Sequence, residues 1–190
     1  MTYILVIAAA NVLIIAANTV LGTSFLMSAV SSVSGTAFVA ALDGLTAFLI
    51  RRLPESRFDA SRKNFAAGRR ECDLYRKIGI KKWKKHIPEL GVFTGFHKDR
   101  LESTTDSGYL ARFILESNYG VAIHVSNALC GFIVPLLPIC RAPSVWIPVF
   151  AVNFVLSLMP AALLRYNLPS LLKLYARSIM KGDIYDENKA

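Results

Sequence analysis

No charged side chain occurs between residues 1 and 42, and uncharged runs return at residues 44–50, 117–140 and 142–164. A hydrocarbon layer about 30 Å thick is crossed by roughly 20 apolar residues of helix. Inside it every backbone N–H and C=O must be paired within the chain, which favours helices. A soluble core of this size does not require an uncharged run as long as 117–140. The expected fold class is therefore all-α: a polytopic membrane protein of about four transmembrane helices, forming a single membrane domain over residues 1–190.

Residues 1–50 are too long for one crossing, since a helix of that length would extend about 75 Å. The small polar stretch at residues 31–34 is the expected turn, with spans near residues 3–26 and 35–50. The later spans are expected near residues 118–140 and 144–164, joined by a short connection at Arg141. Ala8, Ala9 and Ala10 have the small-residue character of a secretory cleavage site. However, no positive stretch precedes them and the apolar run continues well past them, so a membrane span is the expectation.

The charge that the spans lack is concentrated elsewhere. Residues 51–107 carry 15 Lys and Arg against 8 Asp and Glu, and five further basic residues follow from Arg165 onward. Lys and Arg accumulate on the cytoplasmic side of short loops. The expected topology places the basic segment 51–108, the tail 165–190 and both termini in the cytoplasm of a multi-pass cell-membrane protein. Cys72, Cys130 and Cys140 have neither disulfide nor zinc spacing.

The basic segment has the composition of an interfacial element. Ile78, Ile80, Trp83, Phe93 and Phe96 alternate with Arg76, Lys77, Lys81, Lys82, Lys84 and Lys85, and Pro88 and Gly91 mark its end. Such a mixture suits nucleic acid or a membrane surface. Tethering between two spans favours lipid headgroups, with Trp83 at the interface and no nucleic-acid partner. His86 and His97 have no metal-type neighbours, and no metal site is expected.

Ionisable groups within spans are costly and are functional candidates by default. Asp43 lies eight residues before Arg51, and His124 lies eight residues after Glu116. Each is therefore expected about 12 Å deeper than its charged neighbour. Eight helical positions leave Glu116 and His124 within about 80° of each other around their helix. A histidine oriented by a carboxylate can take a proton from a hydroxyl nucleophile. The structural alternative is a polar contact that only holds the bundle together. At the end of the fourth span, Arg165, Tyr166 and Asn167 could hold an anionic head, or simply anchor the helix before a stop at Pro169. No Gly-rich phosphate loop, HExxH, CxxC or GxSxG motif is present.

Three stretches, taken together and in order, resemble the glycosyl-diaponeurosporenoate acyltransferase family of small bacterial membrane enzymes of the staphyloxanthin type. They are residues 75–88, residues 113–116 with His124, and residues 160–169 with Arg165, Tyr166 and Asn167. The chain departs from the family pattern at Val121, where a second acid is expected, and at Val125, where a Trp is expected. It also departs around Asn118 and Tyr119, which stand in place of basic residues, and at Leu168, which stands in place of an Arg. The resemblance implies an acyltransferase moving a fatty acyl group to a hydroxyl of a lipid-linked or glycolipid acceptor, a carotenoid glycoside in the family. The reaction would lie at the cytoplasmic face of the bacterial inner membrane, with acyl-CoA as donor and no resident cofactor. In that reading His124 is general base and Asp43 or Glu116 orients it. Arg165, Tyr166, Asn167 and Trp83 contact substrate, and membrane lipids are partners. The alternative is a non-catalytic lipid-binding or partner-docking subunit.

Overall fold

The computed structural model describes residues 2–84, 87 and 101–187, with the backbone alone for Thr2 and residues 181–187. His86, His97, Phe93, Phe96, Pro88 and Gly91 lie outside the described residues. The described residues form helices and 3-10 turns without a strand: α1 (Thr2–Val20), α2 (Phe25–Arg51), α3 (Arg69–Lys77), α4 (Ile80–Trp83), α5 (Ser107–Cys130) and α6 (Pro143–Glu187). Four helical segments are long and apolar enough to cross a membrane, as the charge-free runs require. Within the single membrane domain expected from sequence, two compact units are distinguishable. One comprises residues 1–52 and 123–160, the other residues 53–122 and 161–190.

In the first unit the turn between α1 and α2 is not at residues 31–34. It falls at residues 21–24, where Gly22 adopts a φ of 94°. The Gly22 N–H reaches Thr19 O at 3.1 Å and the Thr23 N–H reaches Asn18 O at 3.0 Å. This paired pattern closes a helix on a left-handed glycine. Ser24 then caps α2 by accepting from the Met27 N–H at 3.3 Å. The serines expected to break the helix instead lie within it. Ser28 and Ser31 return their hydroxyls to the carbonyls of Ser24 and Met27, at 3.0 and 2.7 Å. In lipid, where no water competes, this bond satisfies the hydroxyl without opening the helix. Ser28, Ser31, Ser32 and Gly35 form the buried small-residue face of α2, which permits close helix approach in membranes.

Two further boundaries differ from expectation. α5 begins at Ser107, where Asp106 caps it by accepting from the Tyr109 N–H at 3.0 Å. It passes into 3-10 turns at Gly131–Leu136 and Pro138–Cys140 rather than continuing as an α-helix to residue 140. Pro135 and Pro138 lack the N–H that an α-helix would use there. α6, by contrast, runs 45 residues and does not stop before Pro169. A proline leaves the carbonyl four residues earlier without its helical donor. For Pro169 that carbonyl belongs to Arg165, and the Ala67 N–H takes it at 3.0 Å. A bond from a distant segment thus satisfies the group that the proline orphans.

The second unit is organised around that segment. Residues 53–67 are irregular with two 3-10 turns, Glu55–Arg57 and Lys63–Phe65. They are nevertheless fixed by specific bonds. Asn118 donates to the carbonyls of Phe58 and Asp59, at 2.7 and 3.3 Å. The Tyr119 hydroxyl donates to Leu53 O at 2.9 Å, and its ring stacks on Phe58 with centroids 4.2 Å apart. Phe113, Ile114, Val121, Leu168 and Leu171 form the apolar core beneath, with Phe65 and Leu164 packed against it. Asn118 and Tyr119 hold the 53–59 backbone, while Val121 and Leu168 fill the core.

Candidate functional site

Among the described residues, a polar constellation in each unit is built from residues far apart in sequence. In the first unit, Asp43 lies on α2 at the wall of a cleft with a cavity volume of about 80 Å³. Ile7, Ala10 and Ile14 of α1 and Val149, Val152 and Leu156 of α6 supply the apolar lining. Asn11 and Thr36 also face this cleft. Their polar capacity is already engaged, because Asn11 Oδ1 accepts from the hydroxyls of Ser32 at 2.6 Å and Thr36 at 3.2 Å.

The Asn153 side chain of α6 lies beside the Asp43 carboxyl. The same side-chain amide donates to Asn127 O at 2.8 Å. Asn127 lies one turn beyond His124 on α5, so the Asp43–Asn153 pair is tied to the turn of α5 that follows the histidine. His124 itself is half-buried. Asp43 Oδ1 and Asn127 Oδ1 are buried side-chain oxygens without a hydrogen-bond partner. A buried acceptor left this way costs about 1–3 kcal/mol, a cost usually associated with a functional role in a span.

In the second unit, the structure gives Arg165 a partner that sequence reasoning did not identify. Its Nε and Nη2 donate to the two carboxylate oxygens of Glu71, at 2.6 and 2.7 Å, and its Nη1 reaches Asn64 O at 3.3 Å. Glu71 Oε1 also accepts from the Tyr75 hydroxyl at 2.5 Å. Glu71 and Tyr75 are one helical turn apart on α3 and share the face toward α6. The Arg165 guanidinium, helped by the Tyr75 hydroxyl, holds the Glu71 carboxyl down at about 2 against an ordinary 4.5. Burial, and then the hydrogen bond to Glu71, pushes the Tyr75 phenol up to about 12. Arg165 therefore acts as a clamp on α3, with its guanidinium charge balanced.

The remaining sequence candidates occupy distinct positions. Glu116 is almost fully buried and receives Arg112 Nη2 at 2.9 Å, one turn earlier on α5. Arg112 also lies 3.6 Å from Glu55. The Tyr166 ring meets Tyr75 edge-on with centroids 6.4 Å apart, and Arg76, whose guanidinium pairs with Asp73 at 2.6 Å, lies near Tyr166. Asn167 is exposed. Trp83 is half-buried, its indole N–H donating to Ile78 O at 3.2 Å. No group of three His, Cys, Asp or Glu capable of holding a metal occurs among the described residues.

Glu71, Asn127 and Asn153 were missed in the sequence reading. The only sequence-level signals were an acid one turn before Tyr75 and two amides inside apolar runs. Partners 94 positions apart, as for Glu71 and Arg165, leave no local pattern.

A family model described as glycosyl-4,4'-diaponeurosporenoate acyltransferase matches residues 54–177. That range includes the second unit's clamp, α5 and His124, and leaves out α1 and α2 with Asp43. No curated protein and no solved structure matches the chain.

Proposed function

We propose, on the premise that this chain belongs to the glycosyl-4,4'-diaponeurosporenoate acyltransferase family, that it moves a fatty acyl group onto a hydroxyl of a lipid-linked or glycolipid acceptor. Membership of that family is the observation that carries the proposal. The reaction is proposed for the cytoplasmic face, because the excess of Lys and Arg in residues 51–107 and in the tail favours that side. Both termini are cytoplasmic in this topology.

His124 is the general base. It takes the proton of the acceptor hydroxyl as that oxygen attacks the acyl carbonyl of a thioester donor such as acyl-CoA. The new C–O bond forms, the C–S bond breaks, and the departing thiolate takes up the proton. Asp43 or Glu116 orients the imidazole. Asp43 is the better supported of the two, since it shares a compact unit with His124 and keeps one oxygen unpartnered. Glu116, in contrast, is neutralised by Arg112. Arg165 contributes by positioning α3, on which Arg76 lies near Tyr166 with Asp73 as its present partner. Arg76, Tyr166 and the exposed Asn167 are then the groups that contact the anionic head of the donor, with Trp83 as a further substrate contact.

A second reading, a non-catalytic lipid-binding subunit, draws on one observation. Asn118, Tyr119 and Arg165 are all committed to holding residues 53–71.

Comparative lipid mass spectrometry of membranes containing the wild type or His124→Ala, at matched levels of folded protein, separates the two. The acyltransferase reading expects an acylated lipid that is present with the wild type and missing with the variant. Equal amounts of that product from both would remove His124 from the reaction. Identical profiles without any new lipid, alongside a stoichiometrically co-purified lipid, would favour the subunit.

A further inference from the structure

α3 has two faces. Glu71 and Tyr75 point toward α6 and are held by Arg165. Rotated from it by about a quarter to a third of a turn, Arg70, Leu74 and Lys77 form an exposed stripe, and Ile78, the residue that caps α3, is exposed at its end. Leu74 and Ile78 are 55% and 54% exposed, which is unusual for large apolar side chains on a helix otherwise rich in charge. The chain then turns through Gly79, whose φ is 72°. Ile80, with no exposed surface, is buried in the unit and anchors α4, while Lys81 and Lys82 extend the cationic edge outward. Trp83, the expected interfacial anchor, is instead turned back onto Ile78 O. Leu74 and Ile78 are therefore the apolar groups offered to a partner, on a segment whose other exposed groups include Arg70, Lys77, Lys81 and Lys82 and the Asp73–Arg76 ion pair.

We propose that this outer face of α3 and α4 is a binding site for the headgroups of anionic phospholipids, with Leu74 and Ile78 seated at the acyl boundary. Four features argue for a bilayer surface over a soluble anion. The cations form a row along a helix rather than converging on one point. The apolar pair lies within that row, where a free phosphate would have no use for it. The segment is tethered by a short stretch of chain to a membrane-spanning helix. It is also pre-ordered, since the Glu71–Arg165 clamp on the neighbouring face and buried Ile80 fix it before any lipid arrives. Juxtamembrane Lys and Arg each gain about 1 kcal/mol from an anionic leaflet, and an amphipathic face adds the burial of its apolar groups.

The test uses the full chain purified in detergent and incubated with mixed micelles of phosphatidylglycerol and phosphatidylcholine. Retained lipids are counted by mass spectrometry. Wild type is expected to retain phosphatidylglycerol in preference. Arg70→Gln, Lys77→Gln and Lys81→Gln should each weaken that retention by about fivefold at low salt, with little change in melting temperature. Leu74→Gln with Ile78→Gln should weaken retention while leaving every cation in place. Inorganic phosphate at the same concentration should fail to displace the lipid.

Equal retention by wild type and by a variant carrying Arg70→Gln, Lys77→Gln and Lys81→Gln together would overturn the site. Displacement by inorganic phosphate, together with indifference to the Leu74 and Ile78 changes, would reassign it to a free anion and overturn the bilayer proposal. Neither readout depends on acyl transfer, so the two proposals can fail separately.

Discussion

Replacing Glu71 with Gln removes the charge that Arg165 grips and leaves a guanidinium on α6 without its carboxylate. The pair is bidentate, with N···O distances of 2.6 and 2.7 Å, and the two side chains are 25% and 28% exposed. Arg165 holds the Glu71 carboxyl at about 2 against an ordinary 4.5. At about 1.4 kcal/mol per unit, that difference corresponds to roughly 3 kcal/mol before solvent screening. Partial exposure reduces it to about 1.5–2 kcal/mol. The folded-state value lies below the unfolded one. This stabilisation is therefore complete above about pH 4.5 and is lost as pH falls toward about 2.

The assay is a double-mutant cycle with Glu71→Gln and Arg165→Met, followed by thermal melting in detergent across that acid range. Arg165→Met keeps the backbone carbonyl that accepts from Ala67, so the cycle isolates the guanidinium. Each single variant should lower the melting temperature by about 4–8 °C, and the coupling should be about 1–2 kcal/mol. Wild type should lose stability on acidification more steeply than Glu71→Gln. A coupling under about 0.5 kcal/mol, or parallel acid profiles, would refute the clamp.

Tyr75→Phe should cost about 1 kcal/mol. It should also remove a loss of stability that the wild type shows as pH rises from about 10 to about 12, because the folded phenol holds its proton longer; alkaline melting curves check both. Asn118→Leu leaves the Phe58 carbonyl without the donor seen at 2.7 Å. About 1–3 kcal/mol of destabilisation is expected, with faster proteolysis within residues 53–67 as the local readout. Gly131→Ala places a Cβ 2.7 Å from Phe150 Cδ2 and 3.1 Å from its Cα. Backbone must move to admit it, so a loss of about 1–3 kcal/mol is expected in the same melting assay. Gly35→Ala, whose nearest neighbour is Cys140 Sγ at 3.4 Å, should change far less.

The number of spans and the all-α class were legible in the sequence because lipid imposes a one-dimensional rule. A helix that crosses must be apolar over its own length, whatever packs against it. Turn positions were less legible. Ser31 to Ser34 read as a break by composition, yet a hydroxyl in a membrane is satisfied by the carbonyl one turn back, and a glycine with positive φ at residue 22 makes the turn instead. Pro169 read as a stop, yet α6 continues through it, with the Ala67 N–H donating to the Arg165 carbonyl that the proline orphans.

The same distinction governs the candidate site. His124, Glu116 and Asp43 stand out in the sequence because ionisable groups are rare within apolar runs. Their partners do not stand out. Arg112 lies four residues before Glu116 on the same helix, a spacing that local sequence already sets, whereas only folding brought Asn153 to Asp43 and Glu71 across 94 positions to Arg165. Which atoms lie along an apolar helix is a property of local sequence. Which charge neutralises which depends on helix rotation and on the path of residues 53–71, and both are decided by packing.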